Sequence, residues 1–378
     1  MAFERYIDGI KGKLRCGYTT GTCSAIASKA AAVFLFSGKC PNFEEVLTPS
    51  GVNVKVPIAF SKMENGKAVC GVIKDGGDDI DATNGVMILC SAEKIESGIV
   101  IEGGKGVGVV TKSGLDQPVG SAAINSVPRK MISDAIKSVC HSFGYNGGIK
   151  ITVSVPEGEK IAEKTFNPNI GIKGGISIIG TSGIVEPMSL KAVFETVKLE
   201  INVARSSGKS DIIITPGNYG QDFVKTMNIK SDIPLVQCSN FIGDALKFAC
   251  RKEFKNILLA GHLGKLVKLA GGMMNTHSMY GDCRMDIIGA RAGAFGAEKN
   301  DIVRILNSAA VDAALDIIEG DKYVFENVVK SIISDAQKNI DAVLNDSCRC
   351  GILIFTNKRG LLGASRKADD IISLWRDI

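Results

Sequence analysis

The sequence predicts an N-terminal α+β layered domain over residues 1–172, followed by a Rossmann-like doubly wound parallel-sheet α/β domain over residues 173–378. Three observations predict this. A chain of 378 residues is too long for one ordinary core, so two domains are expected. In the first part, strand-like runs come in groups with only two helices among them, the pattern of layered α+β folds. From about Gly174 onward, short buried apolar runs alternate strictly with helical stretches, the pattern of a parallel sheet.

Composition narrows the function. Hydrophobic residues are 45% of the chain and charged residues 22%, so it is globular rather than disordered. The longest apolar run falls well short of a membrane span, and MAFERYIDGIKGKLR carries no secretory pattern. The eleven cysteines are scattered, mostly inside apolar segments, which suits a reducing, cytoplasmic setting. Cys348 and Cys350 form the only close pair, with no second pair beside them to complete a metal site. The net charge of +5 is spread out, and aromatic residues are only 6%. A nucleic-acid surface calls for a concentrated basic stripe with stacking aromatics, so no nucleic-acid or membrane partner is expected. The modest positive excess fits an anionic small molecule or simple solubility.

In chain order, the first landmark is LRCGYTTGTCSAIASKAAAVFLFSG. Thr19, Thr20 or Thr22 caps an alanine-rich helix that Gly38 stops, and the same hydroxyls and N–H groups can face an anion. Val52 to Phe60, Ala68 to Ile73 and Val86 to Ile95 read as strands. Between the last two lies KDGGDDIDATNG. Its Asp75, Asp78, Asp79 and Asp81 can in principle hold a hard cation, but their spacing departs from the calcium loop, and no metal is expected. EGGKGVGVVTKSGL follows as a glycine hairpin with Lys105 at its tip and Lys112 beyond. It is no dinucleotide fingerprint, because no helix follows it directly. Asn125 to Phe143 is a helix opened by Pro128, with Arg129 and Lys130 in its first turn. Two cations there oppose the helix dipole and suit a nearby anion or an exposed turn. Ile149 to Val155 is a further strand.

GGISIIGTSGIVEPMSLKAV, Gly174 to Val193, opens the second pattern. Ile176 to Ile179 reads as the first strand of the parallel sheet, Gly180 to Gly183 as a loop with free N–H groups, and Pro187 as the start of a helix. The same grammar returns at Asp211 to Thr215, Leu235 to Cys238, Asn256 to Ala260 and Gly351 to Thr356. A largely helical insertion is expected near 284–344. Ligands of such folds sit at the carboxyl ends of the strands. By loop position alone, the candidates for holding a cofactor are Gly180, Thr181, Ser182, Gly183, Glu186, Gly217, Asn218 and Gly261. Of the three histidines, His141 reads as structural. His262 and His277 lie in one connection, and they are candidates for a ligand-facing, catalytic role.

Several of these stretches together resemble one family. LRCGYTTGTCSAIASKAA, VIKDGGDDIDATNG, EGGKGVGVVTKSGL, INSVPRKMI, GGISIIGTSGIVEPMS, ITPGNYG and AGHLGKLVKLAGG keep the order found in the CbiD family, the cobalt-precorrin-5B (C-1)-methyltransferases of anaerobic cobalamin biosynthesis. The resemblance spans nearly the whole chain. It implies transfer of a methyl group from S-adenosyl-L-methionine to ring carbon 1 of a cobalt-containing tetrapyrrole, giving cobalt-precorrin-6A. No residue role comes with it. Methyl transfer from a sulfonium is an in-line displacement in which placement does most of the work, so no nucleophile is required. Lys105, Lys112, Arg129 and Lys130, with Thr19, Thr20 and Thr22, are the candidates for meeting the substrate's carboxylates. One departure stands out. Nucleotide sites of this kind carry an acid near the end of the second strand, whereas here that strand ends Thr215-Pro216-Gly217-Asn218, leaving Asn218 or Glu186 to stand in. A nicotinamide-dependent tetrapyrrole reductase and a non-catalytic tetrapyrrole carrier are the alternatives. The first lacks its GxGxxG fingerprint and its acid. A homo-oligomer is left open.

Overall fold

The computed structural model describes residues 3–9, 12–345 and 347–376. The chain divides into two compact units, Met1–Leu190 and Lys191–Ile378. The division falls further along than the expected 172/173, for a reason visible in the pairing described below.

The first unit contains, in order, β1 (Gly17–Tyr18), α1 (Thr20–Ser37), β2 (Phe60–Glu64), β3 (Lys67–Ile73), β4 (Met87–Ile95), β5 (Ile99–Gly103), β6 (Gly106–Val107), α2 (Ser126–Ser142), β7 (Gly148–Ser154), β8 (Gly175–Ile176) and β9 (Ile184–Val185). Phe43–Leu47 and Asn53–Pro57 form a separate hairpin, so the expected strand Val52 to Phe60 is broken before Phe60. Five strands make one sheet in the order β2-β3-β4-β7-β5, antiparallel except for the β7/β5 pair. Alternate residues Cys70, Val72, Ile88, Cys90, Ile149, Ile151 and Val153 are buried and share one core with Ala27, Ala31, Ile132 and Ile136 of α1 and α2. Small residues on α1 let it lie close to the sheet. Thr19 caps α1, its hydroxyl accepting the N–H of Thr22, and Gly38 ends it in the left-handed conformation at φ 71°.

Ile176 to Ile179 is not the first strand of the parallel sheet. Ile176 pairs with Val107, Ile178 bridges to Ile124, and Ile184 pairs with Tyr18. Ile176 and Ile178 are buried because they thread the first unit's core, while Ile179 is exposed. A four-residue apolar run looks the same in either setting, since its pairing partners are distant in sequence. The helix expected from Pro187 begins only at Leu190.

The second unit contains α3 (Leu190–Ser206), β10 (Asp211–Thr215), α4 (Asn218–Lys225), β11 (Leu235–Gln237), α5 (Ile242–Arg251), β12 (Asn256–His262), α6 (Leu263–Ala270), α7 (Arg284–Ala294), α8 (Lys299–Leu306), α9 (Val311–Ile318), α10 (Lys322–Leu344), β13 (Arg349–Thr356), β14 (Gly360–Ala364) and α11 (Arg366–Trp375). The sheet order is β11-β10-β12-β13-β14, parallel except for β14. The fifth strand is therefore the antiparallel edge β14. Both faces are covered. Ile212, Ile214, Ile257, Leu259, Ile352 and Ile354 pack with α3, α5, α6 and α10. Ile213, Leu258, Ala260, Leu353 and Phe355 pack with α4 and α11. That two-sided burial explains why these strands read as unbroken apolar runs. Helices α7 to α10 fill the connection between β12 and β13. Among the described residues, no helix is long and apolar enough to cross a membrane.

A candidate ligand site at the carboxyl ends of the parallel strands

The chain leaves β10 for the edge strand β11 and returns past it to β12, so the strand order switches between β10 and β12. Open parallel sheets hold ligands at such a switch point. A cavity of about 350 Å³ lies there, lined by Pro216, Gly217, Tyr219 and Gly220 after β10, by His262, Gly264 and Lys265 after β12, and by Arg284, Ala310, Val311 and Asp312 from the helical insertion. Small-molecule sites span about 300–1,000 Å³.

The glycines of these loops do different work. A Cβ on Gly220 would stand 2.8 Å from Thr215 Cβ, and one on Gly261 would stand 2.9 Å from Leu266 and 3.1 Å from Pro216, so both allow close packing. Gly217 has extended backbone and nothing within 4 Å of its Cβ position, which leaves its backbone open to the cavity. Thr215, the last residue of β10, is fully buried, and its Oγ1 has no hydrogen-bond partner. Asn218 accepts a hydrogen bond from Gln237 Nε2 at 2.7 Å, tying the start of α4 to the end of β11.

His262 caps α6. Its Nδ1 accepts the Gly264 N–H at 3.0 Å, so the imidazole carries its proton on Nε2, which lies 3.9 Å from Asp312 Oδ2. Burial lowers its pKa, and Asp312 only partly opposes this, so the ring is neutral at neutral pH. Asp312 is held by Arg359, whose Nη1 donates at 3.0 Å. The ring stands 5.7 Å edge-on to Phe355 and 6.2 Å from Tyr219. Lys265 extends its ammonium to the carbonyls of Pro216 at 2.8 Å and Ser239 at 3.5 Å, and burial lowers its pKa. Arg284 is bidentate to Asp282, whose pKa it holds at about 2. On α3, burial pushes the Glu200 carboxyl up to about 7, partly offset by the backbone N–H of Gln237 at the end of β11.

The expected site residues do not all gather here. Gly217 and His262 line the cavity, and Asn218 and Gly261 adjoin it in sequence. His277 is elsewhere on its loop: its Nδ1 caps the short 3-10 turn Ser278–Tyr280, and it is not among the lining residues. Gly180, Thr181, Ser182, Gly183 and Glu186 belong to the first unit. There the Ser182 hydroxyl donates to the Ile184 carbonyl, Gly183 has φ +81° with its Cβ position blocked by Thr48, and Thr181 and Glu186 are exposed. Thr19, Thr20 and Thr22 are buried, with their hydroxyls spent inside the protein. Thr20 accepts the Ile179 N–H at 2.9 Å, Thr22 donates to the Gly183 carbonyl at 2.7 Å, and Thr19 caps α1. Arg129 is anchored on the carbonyls of Ile124 and Ile101, and Lys112 reaches the carbonyl of Asn169. Lys105 and Lys130 are exposed.

The acidic loop is a structural knot. Asp75 pairs with Arg15, Asp78 accepts the Arg15 N–H, Asp79 accepts the Met188 N–H, and Asp81 pairs with the buried Lys74. Among the described residues, no cluster of three His, Cys, Asp or Glu side chains is arranged to hold a metal ion.

Lys265 and Asp312 line the cavity, Arg359 holds Asp312, and Glu200 lies beside the end of β11; sequence reading passes over all of them. Lys265 stands three residues after His262 and was within reach of it. Asp312, Arg359 and Glu200 come together with this site only through the fold.

Fold and cavity together define a mixed α/β protein with a small-molecule-sized cavity at the switch point of a largely parallel sheet. Comparison with known proteins makes this particular. Residues 8–187 match the family model described as CbiD, and residues 275–366 the model described as CbiD, C-terminal domain. The chain is 44% identical over 355 residues to a protein of Ruminiclostridium cellulolyticum named cobalt-precorrin-5B C(1)-methyltransferase, covering 94% of this chain and 92% of the relative. It is 42% identical to a protein of the same name from a Thermoanaerobacter species, covering 93% and 95%. A crystal structure of a cobalamin biosynthesis protein (CbiD) from Archaeoglobus fulgidus is 31% identical, covering 73% of this chain and 87% of that one, with a TM-score of 0.40. The chain belongs to the CbiD family.

Proposed function

We propose that this chain is a cobalt-precorrin-5B C(1)-methyltransferase of cobalamin biosynthesis, that S-adenosyl-L-methionine is its methyl donor, and that the second unit, a Rossmann-like α/β domain, holds the donor at the β10/β12 switch point. The observation that carries the reading is full-length similarity to relatives of that name, more than 90% of each chain being covered.

The residues at the switch point fit a donor of this kind. Gly217 offers open backbone, Thr215 Oγ1 is a buried polar atom without a partner, and Lys265 offers a cation to a carboxylate. Glu200 adds what the sequence lacked. It lies beside the end of β11, the second strand of this sheet, where nucleotide folds place the acid that takes the ribose hydroxyls. That acid comes from α3 rather than from the strand. The donor supplies an electrophilic methyl group on a sulfonium. The chain's own part is to bind and orient both molecules and to exclude water, because effective placement alone lowers such barriers by about 7–11 kcal/mol. His262, neutral and fixed by the Gly264 N–H, is a proton acceptor only if its Nδ1 gives up that bond. We therefore read it as a positioning residue. Lys105, Lys112 and Lys130, the exposed cations of the expected set, are the remaining candidates for the macrocycle's carboxylates. The protein is taken to work in the cytoplasm.

Incubation with methyl-deuterated S-adenosyl-L-methionine and cobalt-precorrin-5B, read by mass spectrometry, tests this. A product carrying one labelled methyl group is expected. Uptake of hydrogen from NADH without methyl transfer would establish the reductase instead, and an unchanged but tightly bound tetrapyrrole would establish a carrier.

A further inference from the structure

Two cationic side chains, Arg284 and Lys265, line the cavity at the switch point, and they are not equivalent. Arg284 is neutralised by a bidentate bond to Asp282. Arg359, just behind the cavity, is matched by Asp312, Asp316 and Glu319. Lys265 has no carboxylate in ion-pair range among the described residues. Its ammonium meets only the carbonyl oxygens of Pro216 and Ser239, and the one polar side chain acting on its charge is the thiol of Cys238. Asp312 is the one carboxylate lining the cavity, and it is already engaged by Arg359. Lys265 is partly buried, and an ammonium partly withdrawn from water is stabilised by an anion more than by two carbonyls at 2.8 and 3.5 Å. The two carbonyls also leave the third N–H of the ammonium unused. They belong to the loops that end β10 and β11, so they fix the amine at the mouth of the switch point.

We propose that the cavity receives a carboxylate group of the bound ligand and that Lys265 is its counter-ion. The inference deepens the methyltransferase reading and rests on it for the ligand's identity. Two sources carry the required group, the amino-acid end of the methyl donor and the acidic side chains of the tetrapyrrole. Arg284 is the wrong partner for either, because a ligand carboxylate would have to displace Asp282. The neutral His262 beside Lys265 adds no competing charge.

Calorimetry on the full-length protein distinguishes the sources. The probes are S-adenosyl-L-homocysteine, 5′-methylthioadenosine, which keeps the nucleoside thioether but has no carboxylate, and cobalt-precorrin-5B. The variants are Lys265→Met and Lys265→Gln. The second retains a donor for the Pro216 carbonyl without the charge, and melting curves identify the folded fraction of each. Loss of a charge-assisted hydrogen bond should weaken the carboxylate-bearing ligand roughly ten- to a hundredfold, with methylthioadenosine unaffected. A loss confined to S-adenosyl-homocysteine assigns the carboxylate to the donor, and a loss confined to cobalt-precorrin-5B assigns it to the substrate. Equal affinities of wild type and both variants for all three probes overturn the inference alone. So does a loss that includes methylthioadenosine to the same extent, since Lys265 would then only hold the loops in place. A wild-type protein that binds neither carboxylate ligand overturns the methyltransferase reading and this inference with it.

Discussion

Gly183 and Gly217 both follow an apolar run in the sequence, but the first is closed in by its neighbours and the second is open. Gly183 is in the left-handed region at φ +81°, and a Cβ there would lie 2.6 Å from Thr48 Cβ and 3.0 Å from Thr22 Oγ1. Gly183→Val should therefore cost stability, about 1–3 kcal/mol from backbone strain with the clash added, and leave affinity per folded molecule unchanged. Denaturant titration and calorimetry on that variant check both parts. Titration of the candidate site has two opposed slopes. Glu200 has a folded pKa of about 7, raised above its unfolded value, so its contribution to stability is present at low pH and is lost as pH rises through about 7. His262 has a folded pKa below its unfolded value of roughly 6.5, so its contribution is present above that pH and is lost as pH falls. Glu200→Gln should flatten the decline in melting temperature between about pH 4.5 and pH 7. His262→Asn, which keeps a capping acceptor for Gly264, should lessen the decline below about pH 6.5. A decline unchanged in either variant contradicts the burial assigned to that group.

At the scale of elements, the N-terminus of α1 is joined to the Ser177–Gly183 stretch by side-chain hydroxyls. Thr20 Oγ1 accepts the Ile179 N–H at 2.9 Å and lies within 3.3 Å of the carbonyls of Ser177 and Ile179. Thr20→Val keeps the shape and leaves the Ile179 N–H unpaired, while the Ile179 carbonyl keeps the Gly21 N–H, so it should lower stability by about 1–3 kcal/mol, measured by urea unfolding, without altering ligand affinity. A near-neutral result would mean that water replaces the hydroxyl. The same segment shows what the sequence made legible and what it did not. Strands at Asp211, Leu235, Asn256 and Gly351 were readable because burial on both faces makes each an apolar run between helices. Ile176 to Ile179 has the same local pattern, but its partners Val107 and Ile124 are fixed by tertiary structure alone. The edge strand Gly360–Ala364 was missed because GLLGA, with a glycine near each end, resembles the turn that precedes it. Gly217 and His262 were legible at the site because they follow strand ends directly. Glu200 was not, because helix α3 carries it to a strand end, Gln237, that lies far along the chain.

At the scale of the whole molecule, the acidic loop of the first unit is spent on structure, whereas Lys265 of the second unit has no carboxylate partner among the described residues. The acidic loop that invites a metal reading instead closes on Arg15, Met188 and Lys74. Lys74 is 2% exposed, so Lys74→Met strands the Asp81 carboxylate in a mostly buried position. Burial alone would raise the pKa of Asp81, and Lys74 and Thr83 outweigh it and hold it low. The variant should lose about 3 kcal/mol, the low end for removing one partner of a buried pair, and chelators should not change the melting temperature of the wild type. A chelator-sensitive melting curve would restore the loop as a cation site. In the second unit, Lys265, Glu200, Thr215 and the open Gly217 lie at or next to the ends of β10 to β12 with hydrogen-bonding or charge capacity still to satisfy. The placement of the donor there is the central claim, and Gly217→Val tests it most directly. The backbone of Gly217 is extended and its Cβ position is open, so valine should fold normally and project into the cavity. Calorimetric titration with S-adenosyl-L-homocysteine should show binding by the wild type and at least a tenfold loss in Gly217→Val at an unchanged melting temperature. Undiminished binding by a fully folded Gly217→Val protein would contradict the account and move the donor away from these strand ends.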